Sequence, residues 1–298
     1  MTALTADTFD SVPDRAALPQ AVTPQLLAWV REQGAGLGAQ PVARADTFAA
    51  LVDTGWHPLT ASRALRLTLA ERLALLGDER GLHPPSPLID SAGMVNAGDK
   101  WVQVLQHQQA PEVIELAQLL SGAECDALMA EARPRLSRSL TVDLQTGGEA
   151  LHADRTSQGM FFARGESALV QRLDARIARL LNWPAANGEG LQVLCYPPGA
   201  QYRPHYDYFD PAEPGTPALL ARGGQRVGTL IIYLQAPESG GATVFPDLGL
   251  QVAPVRGNAV FFSYPQPHPA SGTLHGGEPV LAGRKWIATK WLRAGAFS

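Results

Sequence analysis

Residues 190–209 read GLQVLCYPPGAQYRPHYDYF and combine a short apolar run with a histidine and an aspartate two positions apart. The run Leu191–Tyr196 has the length and composition of a buried strand, and the Pro-Pro-Gly that follows it predicts a turn. On an extended strand the side chains of His205 and Asp207 project from the same face, so an imidazole and a carboxylate converge on one point. A His-x-Asp pair alone is weak evidence, and a metal site needs a third ligand.

The rest of the chain after residue 188 has the same pattern of short apolar runs separated by glycine and proline. Strands are predicted at Leu191–Tyr196, Val227–Leu234, Ala242–Phe245, Leu250–Val255, Asn258–Phe262 and Lys285–Trp291. Regularly spaced short strands with turn residues between them are typical of a β-sandwich or a β-barrel. The paired glycines between the strands predict hairpin turns, because no helix follows them as a phosphate-binding loop requires.

The first hundred residues have helical periodicity instead. Helices are expected at Pro24–Val30 and from Phe48 to Leu65, the latter as two short helices joined at residues 55–58, with the second continuing to Leu76. Proline-rich residues 83–87 form a connector, so we expect a helical N-terminal region at residues 1–98 and a second domain at residues 99–298. Two further helices, one capped by Ser121 and one at Glu166–Leu181, are expected within that second domain.

Composition excludes several classes of protein. The 298 residues are 45% hydrophobic and 17% charged, which is typical of a globular chain, and the net charge of −4 argues against a nucleic-acid partner. We expect no membrane span, because no apolar run is long enough, and we do not expect the first ten residues, which contain Asp7 and Asp10, to form a signal peptide. Two cysteines, Cys125 and Cys195, are too few for a disulfide framework. We therefore expect a cytoplasmic protein, and nothing in the sequence indicates its oligomeric state.

Two histidines could provide the third metal ligand. His268 lies between prolines in a predicted loop, and His275 precedes a turn that leads into the last predicted strand. Two histidines and one carboxylate on one face of an octahedron leave three open positions, as in non-haem Fe(II) oxygenases. On the last strand Lys285 and Trp291 share one face, and Lys290, expected at the surface, lies on the other. A buried lysine beside a ligand histidine could anchor a cosubstrate carboxylate by a charge-assisted hydrogen bond.

Taken together, these segments resemble the catalytic core of the prolyl 4-hydroxylase family. The resemblance covers residues 111–298, with GGQRV at 223–227, GGATVFP at 240–246, GNAVFF at 257–262, LHGG at 274–277 and GRKWIATKWLR at 283–293 all in the order of the family. It implies an α+β fold with a mainly β core, namely a double-stranded β-helix (a cupin-like jelly roll) with supporting helices. The helical N-terminal region lies outside the resemblance, and its role is unknown.

The resemblance also implies a role for individual positions. The family's iron ligands correspond to His205, Asp207 and His275. The residues that bind the far carboxylate of 2-oxoglutarate in the family correspond to Lys285, Tyr196 and Thr243. Positions that line the peptide groove near the target proline correspond to Tyr202, Arg226 and Trp291, and Arg155 lies in a segment that closes over the substrate.

The activity implied is 4-hydroxylation of a prolyl residue in a peptide or protein. Fe(II) is the bound metal, 2-oxoglutarate and O2 are consumed, and succinate and CO2 are released. Ascorbate is the expected reductant. Hydroxylation of a free amino acid or small metabolite is an alternative, and a non-catalytic jelly-roll module that binds a metal is another. Residues 207–226 are longer than the family pattern and contain three prolines, which bears on the substrate because this segment borders the groove.

Overall fold

The computed structural model describes residues 21–35, 41–56, 58–67, 85–109, 111–139, 141–142, 148–150 and 156–298. Numbered in chain order, the helices are α1 (Pro24–Glu32), α2 (Pro41–Asp53), α3 (Pro58–Leu65), α4 (Gly122–Ala132), α5 (Ala168–Leu180) and α6 (Thr216–Leu220). The first strands are β1 (Met94–Asn96), β2 (Trp101–Gln109), β3 (Glu112–Ala117), β4 (Ser137–Arg138), β5 (Thr141–Val142), β6 (Glu149–Ala150), β7 (Gln158–Phe162), β8 (Leu191–Tyr196) and β9 (Tyr202–His205). The remaining strands are β10 (Arg226–Gln235), β11 (Ser239–Gly240), β12 (Thr243–Phe245), β13 (Leu250–Val252), β14 (Ala259–Ser263), β15 (His275–Gly277), β16 (Val280–Ala282) and β17 (Lys285–Arg293). Of the helices in these ranges, none combines the length and the apolar character that crossing a bilayer requires.

Two sheets form the core of the protein. The larger has nine strands in the order β1-β2-β3-β14-β10-β17-β8-β7-β4, and the smaller has four in the order β13-β12-β15-β9. A hydrophobic cluster fills the space between them, with Ile231 and Phe262 from the larger sheet and Phe245 and Val252 from the smaller. This is the expected double-stranded β-helix, in which inward-facing residues of two antiparallel sheets make one core.

Helices α4 and α5 cover the outer face of the larger sheet. Leu128 of α4 and Leu173 of α5 belong to the same buried cluster as Leu230 and Trp286 of the strands. Both helices begin where the sequence predicts, because Ser121 forms a complete capping box with Glu124, and the side chain of Ser167 accepts a hydrogen bond from the backbone of Val170. The helices hold the sheet from behind and leave its inner face to the site.

Helices α1, α2 and α3 enclose a cluster of their own, which includes Leu26, Leu51 and Trp56. Helix α3 ends at Leu65, and Arg66 has a left-handed backbone with φ of 54°. The expected continuation of this helix beyond Leu65 is therefore wrong at residues 66–67, and residues 68–76 lie outside the described residues. A guanidinium nitrogen of Arg63 donates to the backbone oxygen of Asp247, which joins the helices to the smaller sheet.

The larger sheet begins on the N-terminal side of the expected domain boundary. Strand β1, at Met94–Asn96, pairs with β2 in the register Val95 opposite Val102. The hydroxyl of Ser86 donates to Glu112 at 2.8 Å, so the chain is tied to β3 from residue 86 onward. We keep the division into a helical N-terminal region and a catalytic domain as a prediction. Residues 86 and 94–96, which lie before the expected boundary at residue 99, contact the larger sheet of the catalytic domain.

Candidate metal and cosubstrate site

The three residues proposed as metal ligands meet between the two sheets. His205 ends β9 and lies directly opposite His275 on the neighbouring β15. Nε2 of His205 is 3.6 Å from Oδ1 of Asp207, and Nε2 of His275 is 3.4 Å from Oδ2. One ligand atom from each residue lies within 4.8 Å of the others, and among the described residues no other group of histidine, cysteine, aspartate or glutamate is arranged in this way. His268 does not belong to this group.

The placement of Asp207 differs from the sequence argument. Strand β9 ends at His205, so Asp207 lies in a bend rather than on an extended strand. Contacts fix it there instead: the hydroxyl of Thr229 donates to Oδ2 at 2.7 Å, and Nη1 of Arg226 donates to its backbone oxygen at 3.4 Å. The two side chains lie close together as their spacing predicts, but an extended strand is not the reason.

Both imidazoles present the same nitrogen to the centre of the site. Nδ1 of His205 is 2.8 Å from the backbone oxygen of Arg203, and Nδ1 of His275 is 3.1 Å from that of Thr273. A carbonyl oxygen can only accept, so each Nδ1 carries the proton and each Nε2 offers a lone pair. Such backbone partners fix the tautomer and the ring orientation of metal-binding histidines.

The charge state of the group suits a divalent metal. Burial alone would raise the pKa of Asp207, but His275, His205 and Arg226 hold it well below its usual range, so the carboxylate is ionised. Burial lowers the pKa of His275 to about 4, so its imidazole is neutral near pH 7. An ionised carboxylate and a neutral imidazole are the kinds of donor that Fe(II) takes in a two-histidine, one-carboxylate site.

Lys285 lies in the same pocket as the three ligands, and its side chain is buried. It pairs in register with Tyr196 of β8, and its ammonium lies 5.8 Å from the ring centre of Tyr196 and 5.7 Å from that of Tyr233. Burial lowers the pKa of Lys285 to about 8, although Glu278 acts in the opposite direction. Within the described part of the chain no carboxylate forms a salt bridge with it, so its charge is available to an anion in the pocket.

Thr243 faces Lys285 from the smaller sheet and lines the pocket. Its hydroxyl accepts a 2.9 Å hydrogen bond from the phenol of Tyr233. Tyr233 is fully buried on β10, and we had not singled it out from the sequence. Tyr233 lies two residues after Ile231, which lines the pocket, and side chains two residues apart on a strand project from the same face. This alternation could have identified Tyr233 from the sequence.

The residues expected in the substrate groove separate into three groups. Tyr202 and Trp291 line the pocket, and the ring of Tyr202 stacks on that of His205 with the centres 3.7 Å apart. Arg226 does not line the pocket, because its guanidinium lies behind Trp291 and is paired with Glu189 at 2.7 Å. Arg155 lies outside the described residues.

Comparison with known proteins agrees with this site. The model of the 2OG-Fe(II) oxygenase superfamily matches residues 191–293, a span that contains every ligand and Lys285. The chain is 37% identical to probable prolyl 4-hydroxylase 3 of Arabidopsis thaliana over 228 residues, which cover 70% of this chain and 77% of the relative. The chain belongs to the prolyl 4-hydroxylase family. It is an enzyme of the 2-oxoglutarate-dependent dioxygenase class, which uses Fe(II) and 2-oxoglutarate.

The chain is also similar to other proteins named as prolyl hydroxylases. Prolyl 4-hydroxylase 1 of Arabidopsis thaliana is 41% identical over 208 residues, covering 63% of this chain and 71% of the relative. Among solved structures, the viral collagen prolyl hydroxylase of Paramecium Bursaria Chlorella virus-1, crystallised as a 2OG complex, is 30% identical. The match to that structure has a TM-score of 0.48 and covers 61% of this chain and 95% of the viral one.

Proposed function

We propose that the chain catalyses 4-hydroxylation of a prolyl residue in a peptide or protein. The observation that carries this proposal is one pocket, lined at one point by His205, Asp207 and His275 and at another by Lys285. In the balanced reaction O2 and 2-oxoglutarate react with the C–H bond, one oxygen atom enters the hydroxyl group and the other enters succinate, and CO2 is released. Ascorbate is proposed as the reductant that keeps the metal in its active state.

The two histidines and Asp207 would hold Fe(II) through Nε2 of each imidazole and a carboxylate oxygen. Bound iron supplies the activation of O2 and the oxidation of the C–H bond, which the side chains in the pocket could not perform. The protein contributes position and exclusion of water. Apolar side chains of Leu194 and Ile287 line the wall between the metal group and Lys285, so the space between them is dry when a ligand fills it.

Lys285 would pair with the carboxylate of 2-oxoglutarate that lies farther from the metal. A buried ammonium without a salt bridge is costly alone, and a carboxylate between Lys285 and the hydroxyl groups of Tyr196 and Thr243 would satisfy it. Tyr233 keeps the Thr243 hydroxyl in place by donating to it. This arrangement favours an enzyme over a module that only binds metal, because metal binding does not need a second charged anchor.

The aromatic residues that line the pocket favour a peptide over a free amino acid. Tyr202 and Trp291 offer aromatic surface to a proline ring, while the guanidinium of Arg226 is engaged by Glu189. A free amino acid would bring a carboxylate and an ammonium that both need charged partners when buried. Among the residues described here, the pocket lining near Trp291 does not provide an available cation, whereas a peptide needs none.

A mass-spectrometric screen tests the proposal. The enzyme is supplied with Fe(II), 2-oxoglutarate and ascorbate, and with proline-containing peptides or free L-proline, and both the gain of one oxygen and succinate are measured. We expect hydroxylated peptide and succinate in equal amounts, with free proline unchanged. Oxidation of free proline alone would identify the small-molecule alternative, and an absence of succinate under every condition would contradict the enzymatic assignment.

We also propose a cytoplasmic location. Cys125 and Cys195 are both buried free thiols, as expected for a reducing compartment. Fractionation of the producing cells, followed by detection of the chain, would test this, and recovery from an extracellular or membrane fraction would contradict it.

A further inference from the structure

Behind the pocket, arginine side chains and aromatic rings alternate in a stack that begins at Trp291. The guanidinium carbon of Arg226 is 4.2 Å from the ring centre of Trp291 and 4.7 Å from that of Phe209. The guanidinium carbon of Arg293 continues the series at 4.8 Å from Phe209 and 5.4 Å from Phe297. These five side chains, which we term the arginine–aromatic stack, connect a residue of the pocket wall to Phe297, which lies outside every motif quoted above.

Glu189 stabilises the charge of the stack. Its carboxylate accepts hydrogen bonds from Nε of Arg226 at 2.7 Å and from Nη1 of Arg293 at 3.2 Å. Burial alone would raise the pKa of Glu189, but the two arginines hold it below its usual value, so it stays ionised between them. Its backbone N–H also donates to the backbone oxygen of Trp291 at 2.9 Å. One residue thus fixes both the arginines and the main chain of Trp291.

Phe297 is itself held firmly at the far end of the stack. Its backbone N–H donates to the oxygen of Ala186 at 2.9 Å, and its backbone oxygen accepts from Nη2 of Arg164 at 2.6 Å. The guanidinium of Arg222 covers the ring at 4.6 Å. Gly223 has φ of 110°, and a Cβ there would approach the backbone of Phe297 to 3.1 Å. A side chain at position 223 would therefore press on the backbone of Phe297, and glycine permits the close contact.

The stack reaches the indole of Trp291 through Arg226. The buried Nε1 of Trp291 has no hydrogen-bond partner among the described residues, so no hydrogen bond of its own orients the ring. The ring of Phe161 is a neighbour of the indole at 6.4 Å, tilted by 36°, and Phe161 is 44% exposed. The guanidinium of Arg226 is closer, at 4.2 Å from the ring centre, so this cation–aromatic contact is the route by which the stack can act on the plane of the indole.

We propose that Phe297 is a positioning residue for the substrate. It acts through Arg293, Phe209 and Arg226 on the tilt of Trp291, and thereby on the placement of the target residue relative to the metal. The inference rests on the proposed function and deepens it. It distinguishes substrate placement from cosubstrate anchoring, because Lys285 and Thr243 make no contact with the stack in the interactions described above. Arg226 also donates to the backbone oxygen of Asp207, so metal affinity is measured in each variant as well.

Three variants of Phe297 test this role. Phe297→Leu keeps apolar volume but removes the aromatic face, Phe297→Ala removes both, and Phe297→Tyr keeps the face as the conservative rescue. Each is compared with wild type for kcat and KM with peptide, for KM with 2-oxoglutarate, and for succinate formed per peptide hydroxylated. We expect Phe297→Leu and Phe297→Ala to lower kcat/KM for peptide about tenfold, the scale of one desolvated cation–aromatic contact. Succinate formed per hydroxylated peptide should rise, with the 2-oxoglutarate KM unchanged and Phe297→Tyr close to wild type.

A spectroscopic measurement makes the test independent of any peptide. With 5-fluorotryptophan incorporated, the resonance of residue 291 is assigned by its loss in Trp291→Phe, and it should shift in Phe297→Leu but not in Phe297→Tyr. An unmoved resonance, or unchanged peptide kinetics in Phe297→Leu, overturns the positioning role. A wild-type enzyme that converts 2-oxoglutarate but hydroxylates no prolyl peptide contradicts the proposed function instead. Equal loss of peptide-free and peptide-dependent succinate formation would show general damage and also overturn the inference.

Discussion

The hydroxyl of Thr229 donates a 2.7 Å hydrogen bond to Oδ2 of Asp207, and the hydroxyl of Tyr264 lies 2.9 Å from the same Thr229 oxygen. Because the proton of Thr229 is given to Asp207, Tyr264 must be the donor to Thr229. Thr229 thus holds one oxygen of the Asp207 carboxylate and is itself held by Tyr264. Partners of this kind orient the ligands of a metal and tune its affinity.

We therefore expect Thr229→Val, which has nearly the same shape but no hydroxyl, to weaken metal binding about tenfold to a hundredfold. Anaerobic titration with Fe(II), or with Mn(II) as a substitute, measures the dissociation constant directly. Thr229→Ser keeps the hydroxyl and serves as the control. Metal affinity that is equal in Thr229→Val and wild type would show that the hydrogen bond does not orient Asp207.

The metal ligands provide the second prediction. His205→Ala, Asp207→Ala and His275→Ala should each abolish succinate formation while the fold, followed by circular dichroism, is retained, because each leaves two donors where three are needed. His268→Ala is the matched control, since His268 does not belong to the group, and it should keep most of the activity. An inactive His268→Ala beside an active His275→Ala would mean that the third ligand is assigned wrongly.

Lys285 provides the third prediction. In Lys285→Ala the far carboxylate of 2-oxoglutarate would be buried without a partner, a loss of ~2–5 kcal/mol. This corresponds to a KM for 2-oxoglutarate raised at least about thirtyfold. Lys100→Ala is the control, because Lys100 is exposed and bonds only to the backbone oxygen of Gln118 in the described contacts. A 2-oxoglutarate KM in Lys285→Ala equal to that of wild type would remove Lys285 from the cosubstrate site.

Lys290 was expected at the surface, and that expectation was wrong. It is buried on the outer face of the larger sheet, where its ammonium lies 2.6 Å from Oδ1 of Asp174 on α5. Substitution of Lys290 would leave a buried carboxylate unpaired, which lowers stability rather than cosubstrate affinity. It is therefore unsuitable as a neutral control for Lys285.

The pKa of Lys285 gives the fourth prediction. Below pH 8 the free enzyme carries the charged ammonium that a carboxylate needs, because its pKa is about 8. Above pH 8 the ammonium of the free enzyme loses its proton, and binding must then take up a proton. The dissociation constant of 2-oxoglutarate should therefore be flat below pH 8 and rise about tenfold per pH unit above it. In Lys285→Arg binding should be weaker but flat to pH 9.5, and a similar rise there would assign the titration to another group.

The fifth prediction concerns the N-terminal helices. A shortened chain that begins at residue 85 keeps β1 and the bond from Ser86 to Glu112, and it should bind metal and 2-oxoglutarate and form succinate slowly without substrate. A chain that begins at residue 99 loses β1 and uncovers Val102, so it should melt at a lower temperature. Calorimetry and the succinate assay compare the two. Loss of metal binding in a folded chain from residue 85 would mean that the helices reach the site.

The same shortened chain, which lacks residues 1–84, distinguishes two roles for the N-terminal helices. If the helices only cover the domain, for example through the contact of Arg63 with Asp247, short peptides and full-length substrates should be affected alike. If the helices recruit a partner protein, short peptides should be hydroxylated normally and full-length substrates poorly.

Much of the fold could be predicted from local sequence. All six predicted strands exist, with ends shifted by at most three residues, because apolar runs bounded by glycine and proline carry their own signal. Strand β2 was missed because its sequence, WVQVLQHQQ, is rich in glutamine and mostly exposed, and its apolar face is limited to Val102 and Val104. Its pairing with β3 makes it a strand, and pairing partners distant in sequence are invisible to a local pattern.

The site was less predictable than the fold. The spacing of His205 and Asp207 indicated a metal site, and the family resemblance indicated His275, but no local pattern showed that Arg226 would be held by Glu189, 37 positions away. Long-range ion pairs depend on how the strands stack, and only the folded chain reveals them. Lys290 was misplaced for the same reason, since its partner Asp174 is 116 positions distant.

Strand β17 lies at the centre of the larger sheet, between β10 and β8, yet it follows both in the sequence. During translation the two halves of the sheet emerge from the ribosome without the strand that joins them, and both present open edges until residue 293 has been synthesised. Lys285 and Trp291 lie on that strand, so the proposed cosubstrate anchor and the proposed substrate wall arrive together with closure of the sheet. Until β17 has joined the sheet, a nascent chain therefore has neither the proposed cosubstrate anchor nor the proposed substrate wall in place.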